Sequence, residues 1–149
     1  MKTLSVDGDK LLGEALAEFD RDSYCLVAMI GHDIYDGQRA GAKGYARFTN
    51  PDLRGPDGYA EYLQRATRQC ADRCGTDHFD IVMLHNPDSI GYSSPDVWEG
   101  MATLREHGLT KETGVAPGPA NGFAIDMAYC IENFHDDISA AMIILNPLE

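Results

Sequence analysis

The chain has 149 residues, room for one ordinary domain and too few for two. Asp and Glu number 24 against 12 Lys and Arg, a formal charge of −12, which repels phosphate backbones and anionic headgroups and so excludes nucleic acid and membrane surfaces as partners. With 44% hydrophobic and 24% charged residues the composition is that of a globular domain, and no apolar run approaches the ~18 residues a spanning helix needs.

The opening stretch Met1 to Asp9 lacks the apolar segment and cleavage site of a secretory signal, so a cytoplasmic protein is expected. Apolar residues at 12, 15, 16 and 19 make a helical stripe over 11–19. Tyr24 to Ile30 is a nearly continuous apolar run stopped by Gly31, the pattern of a strand buried on both faces. Residues 32–56 turn polar and glycine-rich and form a long loop. Positions 59, 62, 63, 66, 70 and 74 then define an amphipathic helix closed by Gly75.

Phe79 to Leu84 is a second buried strand, and it delivers His85-Asn86-Pro87-Asp88, where Pro87 denies the ladder a donor. Pro95 opens a third helix that breaks at Gly108, and residues 112–116 form a third strand. After a turn-rich loop with Asn121 as a candidate N-cap, a fourth helix covers about 123–134, and Ala140 to Leu145 is a last strand. Helices alternating with strands at these lengths imply parallel βα units, hence an α/β fold. Ligands of such folds sit at the carboxyl ends of the strands, which draws attention to His32, Asp33, Asp36, His85, Asp88, Asn121 and Asn146.

Residues 75–88, from Gly75-Thr76-Asp77 through His85-Asn86-Pro87-Asp88, resemble the segment of aldo-keto reductases in which a helix ends, a strand begins at an Asp, and the strand delivers a His followed by x-Pro-Asp. The resemblance continues through the helix at Val97 to Gly108 and on to Gly114-Val115-Ala116, and runs back to Leu12-Gly13-Glu14-Ala15-Leu16. It implies strands three to six of a TIM (β/α)8 barrel, a single partial domain over 1–149, where a whole barrel takes about 250 residues. It further implies NADPH-dependent carbonyl reduction in full-length relatives, with His85 as the catalytic residue that maps and Ala116 and Asn146 as the cofactor-binding positions. The family's Asp and Tyr fall before Met1. Met29 or Ile30 stands in place of its Lys, and Ala116-Pro117 in place of its Ser-Asn pair, so this chain is expected to be a weak catalyst or none.

Unaided, a neutral imidazole at His85 orients a carbonyl oxygen more than it protonates it. Asp80, at the start of an apolar strand, is expected to anchor a neighbouring backbone or basic group, because a buried carboxylate must be paired. Two rival readings remain. One is a non-catalytic half-barrel that self-assembles or binds a partner through its open sheet edges. The other is a metal-dependent hydrolase using His32, Asp33 and His85. Cys70 and Cys74 share a helix face, without a CxxC or CxxH, and are expected to pack as small apolar groups, like Cys25 and Cys130. Trp98, Tyr59 and Tyr62 fall at core positions.

Overall fold

The computed structural model describes residues 4–41, 44–118 and 124–143. The elements run α1 (Leu4–Leu16), β1 (Val27–Ile30), α2 (Tyr59–Cys74), β2 (Phe79–His85), α3 (Ser89–Ser93), α4 (Pro95–Glu106), β3 (Thr110–Ala116), α5 (Ala124–Phe134) and β4 (Ala140–Ala141). The alternation expected from sequence is present, with α3 as an addition. That single turn forms because Asp88 caps it, Oδ1 accepting from the Gly91 N–H at 2.9 Å. Ser94 and Pro95 then start α4 anew. The first helix begins and ends earlier than the apolar stripe over 11–19, and Phe19 beyond it is 63% exposed.

The strands form one parallel sheet in the order β1-β2-β3-β4, with Val27 opposite Ile81, His85 opposite Ala116 and Gly114 opposite Ala140. One face carries Ala28, Ile30, Val82, Leu84 and Val115, all buried beneath Leu63, Ala66, Val97, Met101 and Leu104 of α2 and α4. Trp98 is buried and stacks on Phe134 with ring centroids 5.6 Å apart. Tyr59 and Tyr62 are also core residues, as expected.

The expectation that the first strand is buried on both faces is corrected. β1 alternates, with Ala28 and Ile30 inward while Val27 and Met29 are 39% and 41% exposed. Among the described residues helices cover only one face of this sheet, so the continuous apolar run reflects a second face left open, as the inner face of a barrel strand would be. Met29, not Ile30, therefore occupies the open-face position where the resemblance calls for a Lys. The last strand is shorter than 140–145: its last bond to β3 is from the Met142 N–H to the Val115 carbonyl at 2.9 Å, Ile143 follows it, and residues 144–149 and 119–123, with Asn146 and Asn121, lie outside the described residues.

Asp80 behaves as expected. Its carboxylate accepts from the Leu26 N–H at 2.7 Å, from Arg21 at 2.9 Å and from Lys111 at 2.8 Å, tying three segments to the start of β2. Those partners, Lys111 first, hold its carboxyl well below the usual carboxylate range against the opposing effect of burial. Among the described residues no helix is long and apolar enough to cross a membrane.

Candidate active site at the strand ends

Parallel register brings the ends of β1 and β2 side by side, and the approach is close enough to dictate a residue type. A Cβ built on Gly31 would stand 2.1 Å from the His85 carbonyl oxygen, so no larger residue fits without moving backbone. The chain then loops out and returns. The Asp33 N–H donates to the Ala46 carbonyl at 2.8 Å, the Phe48 N–H to the Gly31 carbonyl at 3.0 Å, and His32 and Arg47 form an antiparallel bridge.

That return lays Arg47 across the strand ends. Its Nε donates to the Asn86 carbonyl oxygen and its guanidinium meets His32 Nε2. The rings of His32 and His85 lie 5.6 Å apart at an interplanar angle of 53°. Burial, followed by the Arg47 charge and then His85, pushes His32 down to about 4, and burial followed by Arg47 lowers His85. Both imidazoles are therefore uncharged at neutral pH. With a guanidinium N–H directed at Nε2, His32 is an acceptor there and carries its proton on Nδ1.

Each residue of the His85-Asn86-Pro87-Asp88 segment has a task. His85 ends β2 on the open face, half-buried. Asn86 adopts φ +48°, the left-handed turn that redirects the chain, donating its N–H to the Ala116 carbonyl at 2.6 Å. Pro87 ends the ladder, and Asp88 caps α3 with one oxygen while the other accepts from Thr49 Oγ1 at 2.7 Å. Ala116, the register partner of His85, is fully buried at the end of β3.

The metal reading of His32, Asp33 and His85 meets a physical obstacle. The two imidazoles do come together, but the group beside them is a cation, Arg47. Asp33 is turned into its own loop, where Oδ1 accepts from the N–H groups of Tyr35 at 3.0 Å and Asp36 at 2.8 Å, and Oδ2 pairs with Arg54. Arg54 also donates to Asp36 at 2.9 Å and to the Phe48 carbonyl at 2.6 Å, so the carboxylates of this loop brace its shape.

Arg47 is the site residue that sequence reasoning did not find. It lies in the glycine-rich loop, and its signal is faint: Tyr45-Ala46-Arg47-Phe48 is a short stretch without turn residues, compatible with extended chain. A groove of about 730 Å³ runs beside the site along β1, bordered by Met29, His32, Tyr62 and His85.

The sequence matches the aldo/keto reductase family over residues 8–148. An aldo-keto reductase of Mycobacterium tuberculosis is 32% identical over 89 residues, covering 58% of this chain and 32% of its own length. Another from Mycolicibacterium smegmatis is 27% identical over 92 residues, 60% of this chain and 32% of its own. Among solved structures, an aldo/keto reductase from Klebsiella pneumoniae in complex with NADP and acetate superposes with TM-score 0.62 at 19% identity, covering 94% of this chain and 39% of that one. The holo form of an aldo-keto reductase from Bacillus halodurans gives 0.61 at 18% identity, covering 90% and 37%. These likenesses show the fold. The chain spans about a third of the length of the curated relatives it matches.

Proposed function

Because this chain belongs to the aldo/keto reductase family, we propose that it supplies strands three to six of a carbonyl-reducing barrel, with His85 as the catalytic residue that meets the carbonyl oxygen and NADPH as the hydride source. The observation that carries this reading is the pair of uncharged imidazoles, His32 and His85, set beside Arg47 at the ends of adjacent parallel strands. That donor set suits a small carbonyl: an imidazole N–H on the open face, with a fixed positive charge beside it. By the resemblance, Ala116, next to His85 in register, and Asn146 are the positions that would border the nicotinamide, which when bound supplies hydride to the carbonyl carbon.

The protein's own part is to hold and polarise. The His85 N–H donates to the carbonyl oxygen, and the Arg47 charge favours the negative charge that develops there. His85 is not the full proton donor, because its charged form is disfavoured. Tyr62, which reaches the same loop, has its hydroxyl committed to the His32 carbonyl oxygen at 3.1 Å. Met29 offers no ammonium where the resemblance calls for Lys. A missing general acid removes about 10²- to 10⁴-fold, so the chain by itself is a weak catalyst or none, in the cytoplasm.

A fluorescence titration of the purified chain with NADPH tests this, followed by aldehyde turnover with and without His85→Ala. Saturable binding supports the reading, and any turnover should fall on the order of 10²-fold in the variant. No binding up to millimolar NADPH would remove it.

A second reading has its own observation. Among the described residues the outer edge of β1 has no strand partner, and Val27, Met29, Met142 and Ile143 are 39%, 41%, 45% and 63% exposed. A half-barrel that self-assembles through these edges would hide them. A strictly monomeric chain in sedimentation would exclude it.

A further inference from the structure

Away from the strand ends, α1 and α2 press together through a residue without a side chain. A Cβ on Gly13 would stand 2.4 Å from the Cys74 carbonyl oxygen, so the helix backbones touch there. Asp9, one turn before Gly13, lies on the same face of α1 and is carried against α2. Cys70 and Cys74, also one turn apart, present their sulfurs to it, and both residues are only 8% exposed. The Cys70 thiol donates to Asp9 Oδ2 at 3.6 Å, and the three donor atoms all lie within 4.8 Å of one another.

We propose that Asp9, Cys70 and Cys74 form a binding site for one thiophilic divalent cation of the zinc class, with the fourth position open to the groove beside β1. Geometry, charge and access support it. Metal–sulfur bonds of about 2.3 Å and metal–oxygen bonds of about 2.0–2.2 Å, at tetrahedral angles, place donors roughly 3.5–3.8 Å apart. The Cys70–Asp9 separation already has that value, and the 4.8 Å bound on the others leaves only a side-chain adjustment to make.

The charges balance as well. Arg73 donates through Nε to Asp9 Oδ2 at 2.9 Å and, through its first terminal nitrogen, to the Tyr35 hydroxyl at 3.0 Å, holding the carboxylate in place. Two thiolates and a carboxylate carry three negative charges and Arg73 cancels one, so a divalent ion leaves the cluster neutral. Binding forms two metal–sulfur bonds and one metal–oxygen bond, and the two thiol protons pass to solvent. The thiolates select a soft or borderline ion over magnesium or calcium. Asp9, Cys70, Arg73 and Cys74 all border the groove, which gives the ion a path.

Cobalt(II) titration of the reduced chain tests the proposal, since thiolate coordination produces a sulfur-to-metal charge-transfer band. The expected result is one equivalent bound with that band, and displacement by zinc(II). Cys70→Ser and Cys74→Ser should each weaken binding at least tenfold and diminish the band, with Cys25→Ser and His85→Ala unchanged. Asp9→Asn, which keeps both thiols, should retain the band and bind at least tenfold more weakly, so a cysteine variant that unfolds does not end the test. Absence of the band in the native chain, its persistence in the Cys70→Ser/Cys74→Ser double variant, or unaltered affinity in Asp9→Asn would overturn the site. Independence from His85→Ala separates its failure from that of the reductase reading.

Discussion

Gly31 and the carbonyl of His85 lie in backbone contact, so that even a methyl group at position 31 would stand 2.1 Å from the His85 oxygen. Gly31→Ala is therefore expected to push the two strand ends apart and destabilise the chain by about 1–3 kcal/mol, the range of overpacking. Urea denaturation would measure the loss. Unchanged stability would show that the contact relaxes freely.

Arg47 lowers both imidazoles, after burial, through its charge. Replacing it by the uncharged Met should raise His32 from about 4 toward 6.5, without reaching it because burial remains, and raise His85 as well. Histidine proton resonances followed against pH report both shifts. Identical titrations in the parent and the Arg47→Met chain would mean that the guanidinium does not face these rings.

His32 also sets a dependence of stability on acidity. Its folded pKa lies at about 4, below the ordinary 6.5, so between those values the unfolded chain binds the proton and the folded chain does not. Stability from this group is complete above pH 6.5 and is lost as pH falls toward 4. The melting temperature should drop across that window, and His32→Asn should flatten the slope. A slope unaffected by the substitution would assign the acid sensitivity elsewhere.

Asp80 acts in the same direction at lower pH. Its depressed pKa means stability present above about 3.8 and lost as the carboxylate protonates below that. Asp80→Ala removes the acceptor for Arg21, Leu26 and Lys111 together, leaving the Leu26 N–H without its bond and the Arg21 charge without its counter-ion, though Arg21 still donates to the Tyr24 and His78 carbonyls, at a cost of about 2–4 kcal/mol. Denaturation at pH 7 checks the magnitude. A loss below 0.5 kcal/mol, the ordinary surface value, would rule out the anchoring role.

The order of helices and strands was readable because α2, β2 and α4 satisfy local rules: apolar spacing, Gly75 after the last turn, Pro95 at the first. The exposed face of β1 was not, since Tyr24 to Ile30 is apolar throughout and periodicity cannot say which side a distant element covers. His85 was legible from its place after a buried strand and before Pro87. Arg47 was not, because its position depends on a loop that returns to Gly31 through backbone bonds, and backbone bonds leave little trace in side-chain identity. Cys70 and Cys74 were seen to share a helix face, but Asp9 joins them only through a helix contact that Gly13 permits.

Strand β2 has an ion-bound beginning at Asp80 and an imidazole at its end, His85. At about 3.3 Å per residue the two lie about 16 Å apart, beyond the 7–10 Å within which substitutions usually couple. The ion pairs of Asp80 and the imidazole proposed for carbonyl binding thus fall at opposite ends of one seven-residue segment, far enough apart for side-chain changes at one end to leave the other unaltered. In a double-mutant cycle the free-energy effects of Asp80→Ala and His85→Ala should add, so that the imidazole end of the strand can be altered while its anchorage at Asp80 is left alone.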